Sequence, residues 1–151
     1  RTSMCCRKKN RMRSLILLAA ITLASLAVVG SAQKPPSDVV ELDDDNFDRL
    51  TQEGVWFINF YAPWCGHCKR IMPVWEKAGT EMQNSGIKFA RIDADAETET
   101  TERFKIQAYP TFKIVDKKKV VDYRGDHQLD SFIRFAKEYL ESRNKQESGG
   151  G

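Results

Sequence analysis

The sequence predicts an α/β fold, a mixed central sheet flanked by helices on both faces, and three features carry that reading. Residues 55–61 (Val-Trp-Phe-Ile-Asn-Phe-Tyr) are a nearly continuous apolar and aromatic run, the pattern of a strand covered on both faces and so of a sheet centre. Strand-like and helix-like stretches alternate up to about residue 105, as crossover connections between parallel strands require. Two short strand patterns at 111–115 and 120–123 then lie close enough to pair as a hairpin, ahead of a closing helical stretch.

The remaining elements follow from local patterning. Val39, Val40 and Leu42 suggest a short first strand, and Asp43-Asp44-Asp45-Asn46 offers a helix cap ahead of Phe47 and Leu50. From Cys65 to about Asn84 the spacing of Ile71, Met72, Trp75 and Met82 marks the inner side of a helix, with a bend expected near Pro73, which lacks the N–H. Residues 87–92 read as a second buried strand and 101–105 as a short helix. Leu129, Phe132, Ile133, Ala136 and Leu140 recur at helical spacing. Residues 33–38 form a polar, proline-containing lead-in, 39–141 the domain, and 142–151 a charged, glycine-ended tail expected to be flexible.

The first thirty-two residues differ in kind. They hold six basic residues (Arg1, Arg7, Lys8, Lys9, Arg11, Arg13), no acid, an apolar run from Leu15 to Val29 and a small-x-small site at Gly30-Ser31-Ala32. That is a secretory signal pattern, its apolar run short of the roughly 20 residues a membrane-crossing helix needs. Cleavage is expected after Ala32; an uncleaved signal anchor is the alternative, and both leave the domain in an oxidising compartment, the endoplasmic reticulum lumen or the extracellular space. Without this segment Lys+Arg falls from 24 to 18 against 21 acids, so the basic balance belongs to the leader. No basic stripe for nucleic acid remains, and Lys117-Lys118-Lys119 reads as a solvated turn between strands. Once the leader is removed no membrane contact is expected. The ending Glu147-Ser148-Gly149-Gly150-Gly151 carries no Lys-Asp-Glu-Leu-like retention signal, which leaves retention or secretion open.

Of four cysteines, Cys5 and Cys6 depart with the leader, leaving Cys65 and Cys68. A bridge between these two closes too small a loop to constrain the unfolded chain much, so the pair is there for chemistry. Cys-x-x-Cys spacing also serves zinc, but a zinc site would have to recruit His67 and His127, the only histidines, and no second Cys-x-x-Cys exists; no metal and no cofactor are expected. The context favours redox chemistry. A buried strand runs into Ala62-Pro63-Trp64-Cys65 and a helix begins at the motif, which places Cys65 at a helix N-terminus, where free N–H groups and the helix dipole stabilise a thiolate. Cys68, one turn further in, is shielded as a resolving thiol should be.

Phe60-Tyr61-Ala62-Pro63-Trp64-Cys65-Gly66-His67-Cys68-Lys69 resembles the active site of protein disulfide isomerase catalytic domains, and Tyr109-Pro110-Thr111 resembles the cis-proline loop that faces the motif in thioredoxin folds. The resemblance spans roughly residues 38–140. It implies the thioredoxin fold, attack by Cys65, resolution by Cys68, a cis Pro110, and backbone hydrogen bonds from Tyr109 to an extended substrate. Gly66 and His67 are the two residues inside the motif; an imidazole beside Cys65 favours the thiolate and makes the disulfide a better oxidant. Trp64 and Trp75 read mainly as packing residues, although Trp64 could also line the substrate surface.

Two positions depart from the family pattern. Relatives carry a buried carboxylate six residues before the first cysteine, paired with a basic residue on the neighbouring strand. Here the position is Asn59, with Arg91 as the expected basic partner, and an amide cannot accept a proton. Where relatives often carry an arginine two residues after a glycine, Gly125-Asp126-His127 has a histidine, which either modulates the second cysteine when protonated or is a surface residue at a helix start.

The expected function is thiol-disulfide oxidoreductase and isomerase, acting as a monomer on thiols and disulfides of protein or peptide substrates in the secretory pathway. Glutathione or a partner oxidase would be the redox source. The alternative is a redox-weak module that holds clients.

Overall fold

The computed structural model describes residues 37–149. The expected leader and most of the lead-in lie outside the described residues. In chain order the elements are β1 (Val40–Leu42), α1 (Phe47–Thr51), β2 (Val55–Tyr61), α2 (Gly66–Glu81), β3 (Ile87–Asp93), α3 (Thr98–Arg103), β4 (Thr111–Asp116), β5 (Lys119–Tyr123) and α4 (Leu129–Ser148). They build one five-stranded sheet in the order β1-β3-β2-β4-β5. The β1–β3 and β2–β3 pairs are parallel, and β2–β4 and β4–β5 are antiparallel.

Strand β2 has neighbours on both sides, and its first six residues are buried. Successive side chains alternate between faces. Val55 and Phe57 therefore enter one core, with Ile71, Trp75 and Ala78 of α2, its C-cap Met82, and Phe132, Ala136 and Tyr139 of α4. Trp56, Ile58 and Phe60 enter the other, with Phe47 of α1 and Phe104 after α3. Fully burying one such side chain stabilises by about 1.5–3 kcal/mol. Phe57 is the hub of the first core, its ring 4.9 Å from that of Trp75 and 5.3 Å from that of Phe89. The Trp75 indole N–H donates to the Ala90 carbonyl at 3.0 Å, tying α2 to β3.

Helix α2 lies so close to the sheet that a Cβ on Gly79 would stand 2.7 Å from Val39 Cγ2 and 3.2 Å from Phe89 Cβ. Only glycine allows that approach. Pro73 lies inside the helix, as the sequence indicated.

Two expectations change. The aspartate run caps a different helix: Asp44 accepts the N–H groups of Glu99 and Thr100, at 3.2 and 2.9 Å, so α3 begins at Thr98 rather than 101. Asp43 and Asn46 instead bond each other's backbone N–H ahead of α1. The second change is at the C-terminus, where α4 continues to Ser148 instead of giving way to a flexible tail at 142. Arg143 holds this last stretch, bonding Asp116 at 2.9 Å and Glu147 at 3.1 Å, and the added residues are mostly good helix formers.

Candidate active site

The parallel strands β1, β2 and β3 end at the same edge of the sheet, and the chain leaving β2 there passes through Ala62, Pro63 and Trp64 to Cys65. Cys65 is the N-cap of α2, with extended backbone (φ −74°, ψ 111°). Its sulfur takes the capping role of a serine or aspartate, accepting the Cys68 N–H at 3.3 Å. The α2 N-terminus thus aims backbone donors at one sulfur. Both thiols are free; Cys65 is partly exposed and Cys68 is buried, 1 % accessible.

The two thiols are driven apart electrostatically. Cys65 is held below the ordinary thiol range first by the hydrogen bond from the Cys68 side chain, then by the Cys68 and His67 backbone N–H groups and the Arg70 guanidinium, against the opposing effect of burial. Cys68 is pushed up to about 11, chiefly by burial and then by Cys65 beside it. One thiol is shifted toward the thiolate and the other is made to keep its proton.

Across the cleft, the Tyr109–Pro110 peptide bond is cis, and the Cys65 thiol lies 3.8 Å from the Tyr109 carbonyl oxygen. Trp64 is 66 % exposed rather than packed away; its indole N–H donates to Asp95 at 3.0 Å and its ring meets the Tyr109 ring edge-on at 6.0 Å. Trp75 is fully buried. Trp64, Cys65, Tyr109 and Pro110 thus form one surface.

Asn59 is completely buried, on the face of β2 that α2 covers. Among the described residues neither Nδ2 nor Oδ1 of its side chain has a hydrogen-bond partner. Arg91 stands opposite Asn59 in the β2–β3 register, but its guanidinium turns elsewhere, to Glu41 (2.5 Å) and Glu76 (3.0 Å). The expected partnership between residues 59 and 91 is therefore replaced by an Arg91–Glu41–Glu76 ion cluster, because two carboxylates compete better for a guanidinium than one amide does.

His67 and His127 meet. His67 Nε2 lies 3.3 Å from His127 Nδ1, and the rings are 5.0 Å apart. The Cys65 sulfur draws on the His67 backbone N–H and on the Arg70 guanidinium, while the His67 imidazole, two residues from Cys65, is turned to His127. At Gly66 a Cβ would meet only Arg70 Nη1, in ordinary contact at 3.8 Å. Among the described residues no three His, Cys, Asp or Glu side chains converge as metal ligands.

Sequence reasoning missed Arg70, Asp95, Glu41 and Glu76. Arg70 was accessible to helical spacing, four residues after Gly66 on the first turns of α2. The others reach the site through sheet register and loop packing, which no local pattern encodes.

This fold and site define a dithiol domain in which a parallel–antiparallel sheet presents one activated and one shielded thiol opposite a cis-proline loop. The Thioredoxin family model matches residues 38–138. The chain is 40 % identical over 120 residues to protein disulfide-isomerase like 2-2 of Arabidopsis thaliana (75 % of this chain, 27 % of that protein). It is 32 % identical over 139 residues to protein disulfide-isomerase A6 of Mus musculus (89 % and 31 %). The solution structure of the first thioredoxin domain of mouse protein disulfide-isomerase A4 superposes with a TM-score of 0.64 at 32 % identity, covering 76 % of this chain and 86 % of that one. The chain belongs to the thioredoxin family, as a thioredoxin-like domain of the protein disulfide-isomerase kind. It spans about a third or less of the length of these two curated relatives.

Proposed function

We propose that the domain exchanges disulfides with thiols of protein or peptide substrates in the endoplasmic reticulum lumen or outside the cell, as a monomer. The carrying observation is the divergence of the two thiols: Cys65 lowered and partly exposed at the head of α2, Cys68 buried and raised to about 11.

In oxidation, a substrate thiolate attacks Cys65 Sγ of the Cys65–Cys68 disulfide. That bond breaks, Cys68 leaves as thiolate and takes a proton, and a mixed disulfide joins Cys65 to the substrate. A second substrate thiolate attacks the substrate's own sulfur in that bond, and Cys65 leaves as thiolate. The substrate has lost two electrons and the protein dithiol has gained them; glutathione disulfide or a partner oxidase takes them back. Reduction and the first half of isomerisation run from the Cys65 thiolate. There Cys68 must give up its proton before attacking Cys65 Sγ and releasing the substrate thiolate. Trp64 and the Tyr109–Pro110 loop would receive the substrate backbone beside Cys65.

One observation favours a second reading. Asn59 cannot take the Cys68 proton, which would slow resolution and suit a module that holds clients as mixed disulfides. Equilibration with reduced and oxidised glutathione, together with reduction of an insulin-like disulfide, tests the choice. Turnover with a defined potential supports the enzyme. Suppressed aggregation without turnover supports the holding module.

A further inference from the structure

Two imidazoles with nitrogens 3.3 Å apart can form one hydrogen bond only if exactly one of the facing nitrogens carries a proton. Two protonated rings would set N–H against N–H. We propose that His127 is a positioning residue for His67: its Nδ1 fixes the His67 imidazole over the first turn of α2, and the two rings share a single proton beside the dithiol, so that the Cys65–Cys68 redox equilibrium follows the state of the pair. This goes one step beyond the proposed redox function and rests on it.

His127 is itself held. Its ring stacks on Phe132 of α4 at 6.2 Å and 16° and leans on Phe112 of β4 at 5.2 Å, so it is a fixed post rather than a swinging arm. His67 is exposed, and its backbone N–H is already committed to the Cys65 sulfur. Burial and the His67 ring keep His127 below the ordinary histidine range, against the Asp126 carboxylate beside it. In the proposed arrangement His127 Nδ1, on the more buried ring, is the acceptor and His67 Nε2–H the donor of the 3.3 Å contact. Other charged or titratable groups on the elements that carry the pair are Arg70 next to Gly66 on α2, Cys65 itself, Asp130 in the first turn of α4, which follows His127 in the chain, and Tyr123 of β5, whose hydroxyl bonds the Asp126 carbonyl. With Nε2–H engaged by His127, uptake of a second proton at His67 Nδ1 makes that ring a cation two residues from Cys65, which stabilises the thiolate and with it the reduced form.

The test is a pH titration of both imidazoles by NMR, joined to the glutathione equilibrium constant at pH 6 and pH 7.5, in wild type, His127→Phe and His67→Gln. Phenylalanine keeps the aromatic packing and removes the nitrogen. The expected wild type takes up one proton first and the second only at clearly lower pH. His127→Phe should shift the His67 midpoint downward and make the couple more reducing at pH 6 by about threefold in the equilibrium constant, about 14 mV for two electrons, with a smaller change at pH 7.5. In His67→Gln, an exposed substitution that does not threaten folding, the His127 midpoint should rise. Independent titration of the two rings, unmoved by either substitution, or an unchanged equilibrium constant at both pH values, overturns the proposal. A wild type that never equilibrates with glutathione overturns the redox function instead, and the NMR midpoints still decide whether the pair exists.

Discussion

The Cys68 backbone N–H points at Cys65 Sγ from 3.3 Å, so the second cysteine of the motif helps to ionise the first before any substrate arrives. The same turn of helix buries the Cys68 side chain and keeps it protonated. One local geometry sets both roles.

Exchanging either sulfur for oxygen separates those roles. Cys65→Ser removes the attacking atom, and exchange should fall to background. Cys68→Ser leaves Cys65 able to attack but unable to be displaced from within, so mixed disulfides should accumulate. Non-reducing electrophoresis after acid quenching reads both outcomes; adducts that persist in Cys65→Ser would reverse the assignment.

Asn59 sets the second prediction. Asn59→Asp is nearly isosteric and puts a proton acceptor in the buried position where the amide has no partner. Arg91 is occupied by Glu41 and Glu76, so the new carboxyl gains no counterion there, and burial raises its folded pKa above the unfolded value. The sign follows. The variant should be near wild-type stability below the unfolded carboxylate pKa and lose stability as pH rises through the folded value, by a few kcal/mol. Decay of a preformed mixed disulfide should accelerate even as stability drops. Decay that is equally fast in both proteins would mean another group already serves Cys68.

Arg70 supplies the third. Its guanidinium is the smallest of the groups that lower the Cys65 pKa, so Arg70→Met should raise it slightly and slow alkylation at pH 6–7. The effect should shrink in high salt. Rates that are unchanged at low salt would remove Arg70 from the site.

Gly79 gives a stability prediction with competing terms. Gly79→Ala gains up to about 1 kcal/mol of helix propensity, but its Cβ would meet Val39 and Phe89 at 2.7 and 3.2 Å, and overpacking costs about 1–3 kcal/mol. Because Phe89 Cβ belongs to a central strand and cannot yield easily, the variant should be destabilised. Urea unfolding decides, and a stabilised variant would mean α2 can lift off the sheet at no cost.

Much of this was legible in the sequence because its signals are local. The buried run of β2, the Cys-x-x-Cys motif at a helix start and the Tyr109–Pro110 pair each announce themselves within a few residues, and the family match and the structure agree on the fold they imply. What was not legible depends on partners distant in sequence. Asp44 reads as the cap of the helix beside it and instead caps one more than fifty residues on. Arg91 reads as the partner of Asn59 until Glu41 and Glu76, on β1 and α2, take both sides of its guanidinium. His67 and His127, sixty residues apart, carry no signal that they touch. The extension of α4 to Ser148 was hidden because polar residues stabilise a helix there through Arg143 and Asp116 rather than through an apolar face.

The central claim, that Cys65 is the activated nucleophile and Cys68 the shielded resolving thiol, is tested most directly by alkylating the reduced protein with iodoacetamide across pH 5–11 and locating the label by peptide mass spectrometry. The account predicts that Cys65 is modified first, with a midpoint below that of an ordinary thiol, and that Cys68 stays unmodified until the pH approaches about 11. Labelling of Cys68 first, or of both cysteines together with one ordinary midpoint, would contradict it.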